Sequence, residues 1–251
     1  MKLSYFDLIS PEPYPVNNIC KVISPKLKDI AILGYGLYQY YLSLLSINSK
    51  TFFEMLGQAE QYEMLSEEQK MTLKLPELIF SCPQLVVQIE SALSFFLIGN
   101  VKFSAHDKGF LVEENNCTTG IITTENYSEI CNLICQRNCV SVRQETDLSK
   151  VKSKKALEIM KKLNKSKTDI KKKTKSDSNM ELGNIISAIA GKSNTINLLN
   201  IWDLTIYQLW DSFMRLSNNN IFDLQAMSVA TWGDKDKKFD SSAWFKKIEL
   251  T

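Results

Sequence analysis

Glycine and proline are scarce, with nine and six in 251 residues. That scarcity excludes a collagen-like or loop-dominated chain and argues against an all-β design, whose tight turns consume both. Histidine is nearly absent too: His106 is the only one, so any Ser-His or Cys-His nucleophile system would rest on that single position. No apolar run approaches the roughly 20 residues needed to cross a bilayer; the longest, around Ala92–Ile98, falls far short. The opening MKLSYFDLIS has neither a sustained apolar core nor a small-residue cleavage site. A cytoplasmic location without membrane association is expected, with the six cysteines reduced. No internal repeat is visible.

What is present is a large apolar content and an uneven distribution of charge. At 44% hydrophobic residues the chain can fill a sizeable core, and its length suits one large domain or two small ones. Lys150–Lys175 holds twelve lysines against Glu158 and Asp169. Against a whole-chain net charge of +2, that segment alone carries +10 and leaves the remainder at −8. The reading is a mildly acidic body with one strongly basic segment.

The densest run of large side chains is Asn200–Leu216, NIWDLTIYQLWDSFMRL. Its apolar residues recur at spacings of three and four, which predicts a helix with a wide buried arc. Asn200 is placed at its start and Asn218–Asn220 at its stop. Most of the arc reads as core. An edge of it, with Trp202 or Trp210, is the candidate anchor for a partner; Tyr207, Phe213 and, further on, Trp244 complete the candidate partner-binding residues.

Along the chain, Pro11, Pro13 and Pro15 predict an extended arm over 1–24, with a short strand at Cys20–Ile23. Ser24-Pro25 predicts a helix start, with the helix running to about Ser46; Gly34 and Gly36 weaken its middle, by roughly 1 kcal/mol each, and suggest close approach of another backbone. Helices are expected over Thr51–Leu65, after Ser66, after Pro76 and over Gln84–Ile98. The period then changes from about 3.6 to 2: Val101, Phe103 and Ala105, then Phe110 and Val112, flank His106-Asp107-Lys108-Gly109 and predict a β-hairpin, with Ile121-Ile122 as a third strand. Thr124 is placed as the cap of a helix reaching Cys139. Further helices are expected over Glu181–Ala190, Ile221–Thr231 and after Ser242. The fold class is therefore mainly α (α+β). An N-terminal α+β domain (1–146) carries a small antiparallel sheet, a Lys-rich linker (147–180) is partly helical, and a C-terminal helical domain (181–251) follows.

Candidate chemistry is thin. Cys131, Cys135 and Cys139 share one helical stripe, but the first and third stand about 12 Å apart along the axis, too far to close on one zinc ion, and paired short-spaced cysteine doublets are missing. Reduced core cysteine is the expected role. Glu67-Glu68 and Glu113-Glu114 diverge as sequence neighbours, and Asp234, Asp236 and Asp240 lack calcium-loop spacing. No catalytic residue, cofactor or metal is expected, and the chain is read as a non-enzyme. The basic segment contains neither arginine nor aromatic residues, which disfavours base readout and stacking; nucleic-acid binding stays an alternative.

Several stretches carry a family likeness: ISPKLKDIAILGYGLYQYYLSLL; SALSFFLIGNVKF followed by NYSEICNLICQRNCV; and NIWDLTIYQLWDSFMRL with TWGDKDKKFDSSAWFKKI. In this order they resemble tail assembly chaperone-type proteins of tailed bacteriophages and prophages of Gram-positive hosts. The resemblance spans most of the chain outside the lysine segment and rests on apolar positions. It implies a non-enzymatic role in virion morphogenesis in the cytoplasm of the host bacterium. The implied partners are the tape measure protein or other tail and baseplate proteins, with self-association as a further option. A structural tail or baseplate subunit, found in the virion, is the alternative.

Overall fold

The computed structural model describes residues 1–115, 117–140, 180–234 and 237–248. They form eleven α-helices and two small antiparallel sheets, a mainly helical α+β architecture. Two compact units emerge. One joins Met1–Val142 with Leu199–Thr251; the other is Arg143–Leu198.

The N-terminal arm is not merely extended. Ser4 and Asp7 form a capping box, so a helix α1 (Tyr5–Ile9) starts six residues before the first proline, Pro11, and ends just ahead of it. Strands β1 (Tyr14–Val16) and β2 (Cys20–Val22) then pair antiparallel. Asn17 and Asn18 make the turn at φ 38° and 56°, a left-handed conformation that Asn tolerates better than most residues.

The long helix expected from Ser24 divides at Gly34, whose φ of 94° no helical residue adopts. Its halves are α2 (Leu27–Leu33) and α3 (Tyr35–Leu45). A Cβ added at Gly34 or Gly36 would meet nothing within 4 Å, so neither glycine serves close packing; Gly34 serves the bend, and Gly36 sits inside α3. Ser24 does not cap; it is buried and accepts a hydrogen bond from Arg137. Gly57, at φ 71°, likewise divides the expected Thr51–Leu65 helix into α4 (Ser49–Met55) and α5 (Ala59–Met64). Ser66 closes a capping box with Gln69 at the head of α6 (Glu67–Thr72), and α7 (Leu75–Phe80) carries Pro76 in its first turn.

The core of this unit is built on α8 (Pro83–Phe96). Ile89, Leu93 and Phe96 are fully buried on one stripe, each worth about 1.5–3 kcal/mol of burial. Helix α8 packs on one side against α3, where Phe96 meets Tyr38, and on the other against β3 (Asn100–Ser104), the edge of a sheet completed by β4 (Gly109–Glu114) and β5 (Cys117–Ile122) in the order β3-β4-β5. Phe80 sits edge-on to Phe110 at 5.2 Å and to Tyr127 at 5.5 Å, closing an aromatic cluster over the sheet. The outward amides of β3 are occupied: Val101 donates to Ser94 Oγ at 3.2 Å and Phe103 to Glu90 Oε2 at 2.8 Å. On the other flank Ile19 lies against Gly120, where a Cβ would come within 2.5 Å of the Ile19 backbone. Helix α9 (Tyr127–Arg137), starting after Asn126 instead of Thr124, packs Ile130, Leu133, Ile134 and Cys135 into the same core.

The division expected at residue 181 falls elsewhere. Helix α10 (Leu182–Lys192), with Leu182, Ile185, Ile186 and Ile189 buried, belongs to the second unit. The Trp-rich segment belongs to the first, because the backbone joins them: Leu27 N–H donates to Leu204 O at 2.9 Å and Lys26 bridges Thr205. The linker expected over 147–180 lies outside the described residues as far as 179.

The segment from Asn200 is not a single helix. Ile201–Asp203 form one 3₁₀ turn, and Thr205 caps α11 (Ile206–Trp232) through a box with Gln208. Asn218–Asn220 do not stop it, since asparagine costs only about 0.5 kcal/mol per residue relative to alanine and the helix gains packing beyond them. The chain closes with a 3₁₀ turn, Ala243–Phe245. Among the described residues, no helix is long and apolar enough to cross a membrane.

Candidate partner-binding surface

Helix α11 has two environments. Its first turns are buried through Ile206, Tyr207, Leu209 and Asp211. Tyr5 of α1 donates to Asp211 Oδ1 at 2.6 Å, and Arg215 donates to Tyr5 Oη at 2.8 Å and to Asp211 Oδ2 at 3.1 Å. Asp211 thus has both a cation and a hydroxyl, which accounts for a carboxylate held inside the fold.

Beyond Leu216 the helix is covered on one side only. There Phe222 meets Phe239 at 5.5 Å, and Asp234 accepts the amides of Lys238 and Phe239, which turns the C-terminal segment back along the helix. On the other side Ile221, Leu224, Met227 and Trp232 are exposed, the last to 77%. From Leu216 to Gly233 the only charged residue is Asp223. An uncharged, apolar helix flank that no part of the described chain covers is a common mark of an interaction site.

Near the start of α11 lies a groove of about 340 Å³. Tyr35, Tyr38 and Leu42 of α3 form one wall and Ile206 with Trp210 the other, with Asn138 and Val140 at the end of α9. Tyr38 donates to Asn138 Oδ1 at 2.9 Å, and Asn138 in turn donates to Ile134 O, so the polar groups on that wall are paired. Tyr35 stacks on Tyr38 with 6.1 Å between centroids and remains partly open.

The five residues singled out in the sequence do not form one patch. Trp210 lines the groove and sits edge-on to Phe213 at 6.1 Å, both half-buried. Trp202 lies on the 3₁₀ turn and is exposed. Trp244 is exposed beside Phe245, at 5.0 Å. Tyr207 is a correction: it is 2% exposed and packs edge-on against Tyr5, because the helical phase places it on the side covered by α1. Ile221, Leu224, Met227 and Trp232 are not singled out in the sequence, where Ile221–Thr231 reads as a separate helix of the C-terminal domain.

Cys20, Cys131 and Cys135 are buried, whereas Cys117 is exposed. Burial pushes the thiols of Cys20 and Cys135 up to about 12 and that of Cys131 higher still, which keeps them protonated and weakly nucleophilic. His106 stands in the β3–β4 turn, almost fully exposed, with Asp107 at 3.1 Å. Among the described residues, no group of three or more His, Cys, Asp or Glu side chains is placed to hold a metal ion.

Residues 171–249 match the family described as the YomV second domain, a phage-associated domain of the Bacillus prophage YomV type. The matched stretch contains α10, α11, the exposed flank and all five aromatic residues named from the sequence. No curated protein and no solved structure matches the chain.

Proposed function

We propose that this chain is a non-enzymatic phage morphogenesis protein that binds the tape measure protein, or another helical tail component, as an assembly chaperone. The observation that carries the reading is the bare flank of α11: Ile221, Leu224, Met227 and Trp232 lie exposed on a helix whose opposite side is already packed. A helix with an open apolar stripe and almost no charge suits an amphipathic helical partner, which it would shield from water as in helix-in-groove recognition. The groove at Trp210 offers the same partner a place for a large anchor side chain. The phage-associated match across 171–249 supports the setting.

The test is co-expression with the tape measure protein of the same phage, followed by co-purification, together with mass spectrometry of purified virions. The expected result is a complex weakened by Leu224→Asp and a protein missing from finished particles. A fixed copy number in virions would favour the second reading, a tail or baseplate subunit, for which the same flank would be a permanent interface. No association with any tail protein would overturn both.

A further inference from the structure

We infer that residues 1–12 form a releasable polar clasp that holds α11 to the body of the first unit. The chain leaves that unit at Val142 and returns to it at Leu199. The arm's bonds run along α9 on one side, from Glu129 and Asn132 to its last turn, and reach the first turns of α11 on the other. On the α9 side, Leu3 N–H donates to Gln136 Oε1 at 2.9 Å and Gln136 Nε2 to Met1 O at 3.0 Å. Arg137 donates to the carbonyls of Asp7, Ser10 and Glu12 at 2.8–3.0 Å. On the α11 side, Tyr5 meets Asp211 and Arg215, and Gln208 Nε2 donates to Ile9 O at 2.9 Å. One short segment therefore grips both elements between which residues 143–198 are inserted.

The grip is made of hydrogen bonds more than of buried apolar surface. Helix α1 has no buried residue, and Phe6 is 77% exposed; only Leu3 enters the core from this segment. The neutral contacts among these exchange for water at small net cost, and Arg137 keeps its bond to Ser24 whether or not the arm is seated, so such a segment opens more readily than a core helix does. The same two elements supply Asn138, Ile206 and Trp210 to the groove. Opening the clasp would therefore loosen the groove wall that α11 provides while leaving α8 and the sheet in place. This inference needs no partner to be tested, so its failure is separable from that of the proposed function.

The experiment is hydrogen exchange on the full chain, on a variant lacking residues 1–12, and on Tyr5→Phe, which keeps the ring and removes the hydroxyl. Deletion is expected to speed exchange in 208–216 and 134–140 by on the order of tenfold or more, with Pro83–Phe96 unchanged. Tyr5→Phe is expected to give a smaller rise confined to 208–216. Unchanged exchange in 208–216 in both variants would overturn the clasp. So would a rise that extends to Pro83–Phe96, or a truncated chain that does not fold, since the arm would then be an integral part of the core.

Discussion

Replacing Arg137 with methionine should be the most damaging single change outside the apolar core. Arg137 is 1% exposed, and among the described residues its guanidinium has no carboxylate partner within bonding distance. It is satisfied instead by Ser24 Oγ at 2.8 Å and by three backbone carbonyls of the arm. Burial holds its pKa below the ordinary arginine value, with Asp7 working the other way. A hydrogen bond from a charged donor contributes about 1.5–3 kcal/mol, so the gross loss over this set is several kcal/mol. Part is recovered, because a buried cation no longer has to be desolvated and carbonyls reach water as the arm loosens. A net loss of about 1–3 kcal/mol is expected, the cost of leaving buried neutral acceptors without their donor, an appreciable share of the roughly 5–15 kcal/mol typical of a folded domain. Arg137→Lys should recover less than half, since one ammonium cannot reach Ser24 and the arm carbonyls together. Urea unfolding followed by circular dichroism measures this directly. A loss below about 1 kcal/mol for Arg137→Met would refute the claim that this residue anchors the arm.

Two further expectations concern the binding surface and the buried thiols. Leu224→Asp and Trp232→Ser should leave the urea midpoint within about 0.5 kcal/mol of the parent while reducing co-purification of the tape measure protein; Tyr207→Ala should do the opposite, with a stability loss of about 3 kcal/mol, and equal effects of the three would remove the distinction drawn between flank and core. Cys20 and Cys135 have folded pKa values raised from 9 to about 12, so between those values the unfolded chain loses thiol protons that the folded chain keeps. Stability should be intact below about pH 9 and fall as pH rises toward 12, by roughly 1.4 kcal/mol per unit for each such thiol. At pH 8, alkylation should reach exposed Cys117 first, and rapid labelling of Cys135 in the folded protein would contradict the packing described.

Much of the architecture could be read in the residues. Ser66 announced the start of a helix, and the switch from helical spacing to alternation at Val101 announced the sheet. Helix continuity was harder. Gly34 and Gly57 end helices because their φ is positive, and sequence cannot distinguish such a glycine from one merely tolerated, as Gly36 is. The reverse error befell Asn218–Asn220, whose weak preference is overridden once Phe222 finds Phe239. Arg137 carried a usable signal: it falls at helical spacing from Leu133 and Ile134, on a face otherwise apolar, which marks a charge expected to be buried with partners. Those partners lay 113–130 residues away, a pairing that local periodicity cannot reveal. The attachment of the Trp-rich segment to the N-terminal body was invisible for the same reason.

Both flanks of the three-stranded sheet are largely closed. Glu90 and Ser94 occupy the outward amides of β3, and Ile19 sits on Gly120 of β5, while Cys117–Thr119 are exposed. Unclaimed strand borders invite neighbouring chains to add themselves and polymerise. Closing these two borders therefore removes one indiscriminate route to sticking from the three-stranded sheet.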